Sequence, residues 1–384
     1  MKRSFRWFLC LALILSVFLV SLVFTQTAAA ATRNYAVTGG QLKFDTIAGV
    51  IYGYTGNPTK VVIPKTINGV AVKGIAIAAF QYCNSLTSVS ISDGVKSIGE
   101  HAFWSCENLT DIRIPDSVTS IGDRAFVLCS KLEDIPIGSK NPAYSSKDGV
   151  LFNKAKTVLV QFPGGKSGDY SIPNGVKSIN SGAFYACENI TGVTIPKSVT
   201  KIGLEAFYAC FHIGDIYIPD SVTSIGIRAF DGCCNAEMIT VGANNKVYAS
   251  EEGVLFNESK TELIQFPGAR RGAYTIPDHV TSIFTSAFEN CYYLDSIYIS
   301  KNVKKIGDLA FLNDNELTEA YFYGDAPNVG DKIFQGTNSE LKVLHLASKK
   351  GFSNPWHGYK TGVFEANVLP PPDGQPDLVV TDTM

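Results

Sequence analysis

Nine cysteines, five histidines and thirty-five acidic side chains are the groups in this chain able to attack a carbon, ligate a metal or carry a proton. Their spacing argues against each of those uses. Metal sites draw on close pairs such as Cys-x-x-Cys, and no such pair occurs. His101, His212, His279, His345 and His357 stand at unrelated phases, and neither Gly-x-Ser-x-Gly nor His-Glu-x-x-His is present. Gly164-Gly-Lys-Ser167 looks like the tail of a phosphate loop, but Val160 stands where the opening glycine is required. The matching stretch Pro267-Gly-Ala-Arg-Arg-Gly272 does not keep the pattern either. The sequence therefore predicts no catalytic residue, no metal and no cofactor, in a protein that is not an enzyme.

What the cysteines do have is phase. Cys83, Cys106, Cys129, Cys187, Cys210, Cys233 and Cys291 each follow a phenylalanine by three places: Phe80, Phe103, Phe126, Phe184, Phe207, Phe230 and Phe288. Phe311 and Phe334 continue the series, with Asp314 and Thr337 in the cysteine position. Within a trio the spacing is 23 residues, between trios 58, and whole trios recur every 104. One cysteine per repeat at fixed phase reads as a small buried residue in a stacked ladder, although secretion would permit disulfides between neighbouring coils.

A period in this range marks a solenoid. Valine precedes each phenylalanine by eight (Val72, Val95, Val118, Val176) and isoleucine by five (Ile75, Ile98, Ile121, Ile179). Apolar residues follow at nine and eleven (Val89 and Ile91, Ile112 and Ile114, Ile297 and Ile299), the alternation of a strand. One coil cannot bury these side chains alone, whereas stacked coils cover each other's open faces. Pro115, Pro196 and Pro219, with Gly99, Gly122, Gly203, Gly226 and Gly307, punctuate the turns. The expected fold is a solenoid of parallel, strand-rich coils of about 23 residues with short helical turns and two hairpin-like insertions.

The phrase Ile114-Pro-Asp-Ser-Val-Thr-Ser-Ile-Gly-Asp-Arg-Ala-Phe-Val-Leu-Cys129 and its copies resemble the BspA-like class of leucine-rich repeats over roughly residues 45–346. The resemblance implies a bacterial or protist protein, secreted or held at the cell surface, of a kind described as adhesins that bind host or matrix proteins.

Taken in order, residues 1–31 read as a secretion signal: Lys2, Arg3 and Arg6, then an apolar run from Leu9 to Phe24, then Ala28–Ala31, with cleavage after Ala30 or Ala31. A retained anchor helix is the alternative, and the alanine run with the short span favours cleavage. Residues 32–79 are expected to form an N-terminal cap and an imperfect first coil, and 80–346 the solenoid. The repeated inserts 141–173 and 245–277 suggest hairpins that either project as binding lips or simply enlarge a coil, and the enlarged coil is favoured. Residues 347–366, with Trp356, read as a closing cap and 367–384, with Pro370-Pro-Pro372, as a flexible tail. Asn108, Asn189 and Asn257 fit the glycosylation sequon, which a bacterial host is expected to leave unmodified.

A net charge of −2 with no basic stripe argues against nucleic acid, and no later segment is apolar enough to span a membrane after signal cleavage. The remaining candidate surface is the outward side of the strand row. There Asp111, Arg113, Asp134, Asp215, Tyr217, Tyr298, Glu319 and Tyr321 fall at the two outward positions of the alternation, and exposed tyrosine and arginine are favoured at interfaces. Tyrosine also suits strands for its own sake. The sequence points to a secreted or surface-held bacterial monomer that binds an extracellular protein or glycan through this row. A structural envelope component and an accessory module of an extracellular enzyme are the alternatives.

Overall fold

Two rows of parallel strands, each interrupted between groups of coils, and one row of turns make up most of the described residues. The computed structural model describes residues 32–365. The expected secretion signal and flexible tail lie outside the described residues. The longer strands, such as Ser88–Ile91 and Asp111–Arg113, pair in parallel with Val89 opposite Ile112. Ile297, Ala320 and Val343 line up in the same way. Burial alternates along them, as in Ile216–Ile218, where both isoleucines are buried and Tyr217 is exposed. The second row consists of two-residue strands carrying the isoleucine that precedes each phenylalanine by five, with Ile98 opposite Ile121 and Ile179 opposite Ile202.

The turns are not helical, and no helix is present among the described residues. The residues two before and two after each phenylalanine are left-handed: Ala78 and Tyr82 around Phe80, His101 and Ser105 around Phe103, Leu309 and Asn313 around Phe311. Glycine takes such a place only at Gly182, Gly232 and Gly336. A left-handed L-residue costs roughly 1–2 kcal/mol. Alternating handedness turns every second N–H to the same side, so these donors reach the next coil while the N–H groups between them, such as those of Ala79, Gln81 and Cys83, bond within the turn. Ala78, Phe80 and Tyr82 donate to the carbonyls of Glu100, Ala102 and Trp104 at 2.9, 2.8 and 2.8 Å. A helix would spend those donors inside its own turn, which is why the expected helical turns do not form.

This arrangement brings the phenylalanines into face-to-face contact. Phe80 and Phe103 stack at 5.2 Å and 6°, and Phe103 and Phe126 at 5.6 Å and 8°. The rings form three runs, each begun by an aromatic residue outside the repeat phrase: Tyr54 over Phe80, Phe162 over Phe184, Phe266 over Phe288. Three blocks of coils result, around Phe80 to Phe126, Phe184 to Phe230 and Phe288 to Phe334. The cysteines of the described residues are free thiols, all buried except Cys234. Cys106 Sγ donates to the Phe80 carbonyl at 3.1 Å, and Cys129 and Cys210 do the same to Phe103 and Phe184 at 3.2 and 3.0 Å.

Each insert builds a three-stranded meander. Tyr144–Lys147 pairs antiparallel with Val150–Asn153, which pairs antiparallel with Val158–Gln161. The last of these joins the short-strand row through Leu159 and Ile179. Asp148 and Gly149 have φ of 51 and 79°, as a two-residue hairpin turn demands. Leu151 packs into the core of the first block, while Val150 and Phe152 pack into the second. The insert is thus an enlarged coil shared by two cores, not a free lip. Tyr248–Glu251, Val254–Asn257 and Glu262–Gln265 repeat the arrangement between the second and third blocks.

Strand Val50–Ile63 pairs antiparallel with Thr32–Asp45, then serves both rows, meeting Gly74–Ile75 with its first residues and Ser88–Ile91 with its last. At the other end Lys360–Phe364 pairs in parallel with Lys342–Leu346. Trp356 is buried against Phe322 at 5.3 Å, and Tyr359 lies edge-on to Phe334 at 5.4 Å.

Candidate binding surface

Because the strands are parallel and in register, residues of equal phase form lines along the outside of the sheet. Ser90 lies beside Arg113, Tyr217 beside Thr240, and Tyr298, Tyr321 and Leu344 follow one another. The eight candidate residues therefore share one face but not one site. They fall into three places.

Asp111, Arg113 and Asp134 lie beside the first insert. Asp111 and Asp134 line a cleft of about 660 Å³ with Lys131, Glu133, Ser146 and Asp148. Its floor is the end of the strand row, and one wall is the Asp148-Gly149 turn. Arg113 reaches back toward Asp111 at 4.0 Å with both side chains largely exposed, a contact of little energetic weight. Sequence reasoning found Asp111 and Asp134 from their phase but missed Glu133 and Asp148. The signal for Asp148 was the Asp-Gly pair, a hairpin turn that fixes where the carboxylate points.

Asp215 and Tyr217 belong to the second block. Asp215 Oδ1 accepts the N–H groups of Glu237 and Met238 at 3.0 and 2.9 Å, so its carboxylate holds the next coil. Tyr217 is 50% exposed and stands beside Thr240.

Tyr298, Glu319 and Tyr321 form the third place. The two rings are parallel within 3° at 4.7 Å, and the Tyr321 hydroxyl donates to Glu319 Oε2 at 2.6 Å. Partial burial raises the pKa of both phenols. Each ring covers one face of the other. Phe364 closes the patch edge-on to Tyr321 at 5.3 Å.

A family model described as the BspA type leucine rich repeat region matches in six copies over residues 45–164, 161–271 and 272–349. The chain belongs to that family. The BspA-type repeat accounts for the two strand rows and the phenylalanine-bearing turn. Among solved structures, a leucine rich cell surface protein from Faecalibacterium prausnitzii is 28% identical, with 88% of this chain and 97% of that chain covered and a TM-score of 0.50. A leucine-rich repeat protein from Eubacterium ventriosum is 22% identical, with 80% and 95% covered and a TM-score of 0.45. A comparison with curated proteins finds no match. No helix of the described residues is long and apolar enough to cross a membrane.

Proposed function

We propose that this BspA-type repeat protein is a secreted or surface-held, non-catalytic binding protein of a bacterium, which recognises an extracellular protein or glycan through its outer strand row. The observation that carries the reading is the cleft at the first insert, where Asp111 and Asp134 meet Glu133, Asp148 and Lys131 around about 660 Å³. Stacked coils that set the spacing of these polar side chains suit a preorganised binding site. The similarity to a bacterial cell surface protein supports the location.

The test is a binding screen of the chain against immobilised purified matrix proteins and a glycan array. It is repeated with Asp111→Asn/Asp134→Asn and with Tyr217→Ser/Tyr298→Ser/Tyr321→Ser. The reading expects at least one captured partner to lose about tenfold in affinity with a variant, roughly 1.4 kcal/mol, while the melting temperature stays within a few degrees. Unchanged dissociation constants for both variants would end it.

A further inference from the structure

Where the second block meets the third, charged groups are buried on the turn side of the coils. Arg124 Nη2 reaches Glu205 Oε2 at 2.9 Å, passing the turn at Gly182, where a Cβ would lie 2.9 Å from Arg124 Cγ. Arg228 contacts the other Glu205 oxygen at 3.4 Å, Asp231 Oδ2 at 3.4 Å and, across the seam, Glu289 Oε1. The Tyr208 hydroxyl also donates to Glu289 Oε1, at 3.4 Å. Asp314, in the position that holds a thiol in earlier coils, accepts the Cys291 N–H through Oδ1 at 2.8 Å.

The charges do not balance if all are ionised. Arg124 pairs with Glu205, and Arg228 with Glu205, Asp231 and Glu289, while Asp314 faces Glu289 and Asp231 with no guanidinium beside it, so the cluster holds two cations against four carboxyls. Asp231, Glu289 and Asp314 are each at most 1% exposed. Asp231 Oδ1, Glu289 Oε2, Asp314 Oδ2 and the neighbouring Ser286 Oγ are buried without a hydrogen-bond partner. Asp231 and Glu289 lie within side-chain hydrogen-bonding reach of each other. Among the described residues no three His, Cys, Asp or Glu side chains are arranged to hold a metal ion. The counter-charge that fits is the proton: two protons leave two cations against two anions and supply the missing donors.

We propose that the seam between the second and third blocks is a proton-dependent clamp, in which Asp231 and Asp314 hold protons and their release at higher pH loosens the third block from the second. A protonated Asp231 donates to Glu289 across the seam. A protonated Asp314 carries a donor at the phase where earlier coils carry a thiol donor, Cys106 and Cys210 among them. The groups facing Asp231 are Arg228, Tyr208, Cys233, Glu289, Asp314 and Cys291. Those facing Asp314 are Glu289, Asp231, Cys234, Cys291 and Tyr292. Of these, only the guanidinium is a cation.

Burial pushes both aspartates well above the ordinary carboxylate range, and the Glu289 charge pushes them further. The folded chain then binds more protons than the unfolded chain above about pH 4, so stability falls as pH rises from there. The seam separates the Asp111 and Asp134 cleft from the Tyr298 and Tyr321 patch. Loosening it changes how the two are held relative to one another.

The experiment is thermal melting of the full chain across the range from about pH 4 to about pH 8, for wild type, Asp231→Asn and Asp231→Asn/Asp314→Asn. The wild-type midpoint is expected to fall by roughly 3 °C or more over that range. The double variant, neutral at both places throughout, is expected to lose most of that slope. A wild-type midpoint that does not fall, or a double variant that falls as steeply, overturns the proposal. Should the variants not fold, hydrogen exchange of the wild type decides. Protection at residues 228–234 and 286–292 is expected to drop about tenfold relative to residues 95–110 between the same pH limits. Protection that tracks the first block at every pH rejects the clamp.

Discussion

Gly122 lies so close to the coil before it that a Cβ would stand 2.3 Å from the Glu100 backbone nitrogen. Gly99, Gly203, Gly226 and Gly307 meet the preceding coil in the same way, at 2.4–2.5 Å from a backbone nitrogen. At the same phase the first coil of each block has Ala76, Asn180 or Phe284. Those coils follow a cap or an insert, not a coil 23 residues earlier, and have room for a side chain. Gly122→Ala is accordingly expected to destabilise the protein by roughly 3 kcal/mol or more. Asn180→Ala should cost about 1 kcal/mol or less. Chemical denaturation of both variants checks the contrast.

Phe103 is stacked on both faces, by Phe80 and Phe126. Phe103→Ala removes a wholly buried ring between two others and is expected to cost about 3–5 kcal/mol, whereas Phe103→Leu, which keeps most of the volume, should cost clearly less. Urea midpoints measured side by side give the order. Equal losses would mean that the retained volume contributes nothing and that the stacked ring itself carries the whole effect.

Tyr144 ends the short-strand row of the first block by accepting the Ile121 N–H on its hydroxyl at 2.8 Å, and Tyr248 does the same for Ile225 at 2.9 Å. Tyr144→Phe leaves a buried donor without a partner, with an expected loss of roughly 1–3 kcal/mol. Tyr248→Phe should cost less, since Ile225 is half-buried where Ile121 is buried and water can replace the hydroxyl. A melting series on the two variants tests the order.

The thiols should be nearly inert in the folded protein. Burial pushes Cys129 and Cys210 up to about 12, so at pH 8 only about one in ten thousand is a thiolate even before access is considered. Cys234, the least buried, is also pushed up to about 12, first by burial and then by the Asp314 charge. A disulfide reagent at about pH 8 should label Cys234 before the ladder thiols, and label the ladder thiols only on unfolding. Rapid labelling of Cys106 or Cys129 in the native state would contradict the ladder.

The coil, its period and its apolar ladder were legible because each depends on side-chain type at fixed phase: Phe103, Val95 and Ile98 recur whatever surrounds them. The left-handed turn was not legible, because Ala78, His101, Arg124, Glu205 and Leu309 occupy its special positions and only three are glycine. Their conformation is imposed by hydrogen bonds to the following coil, which no local pattern records. Of the candidate surface, phase found Asp111 and Asp134. It could not find Asp148, which reaches the cleft through the fold of the insert. Nor could it tell that Asp215 is tied to the backbone of the following coil. The seam around Arg228, Asp231 and Glu289 joins residues up to 81 positions apart and was beyond any periodic reading.

The glycine that admits a close neighbour also restricts how the gene can change length. A duplication of 23 codons taken from inside a trio carries its own glycine and fits beneath the next turn. One that copies the opening coil of a trio would push Asn180 or Phe284 against a backbone with no space for it. A copy of 104 codons brings its own Phe162-like or Phe266-like starter and escapes that limit. Growth and shrinkage of such an array are therefore quantised, and the permitted step depends on where in the array the break falls.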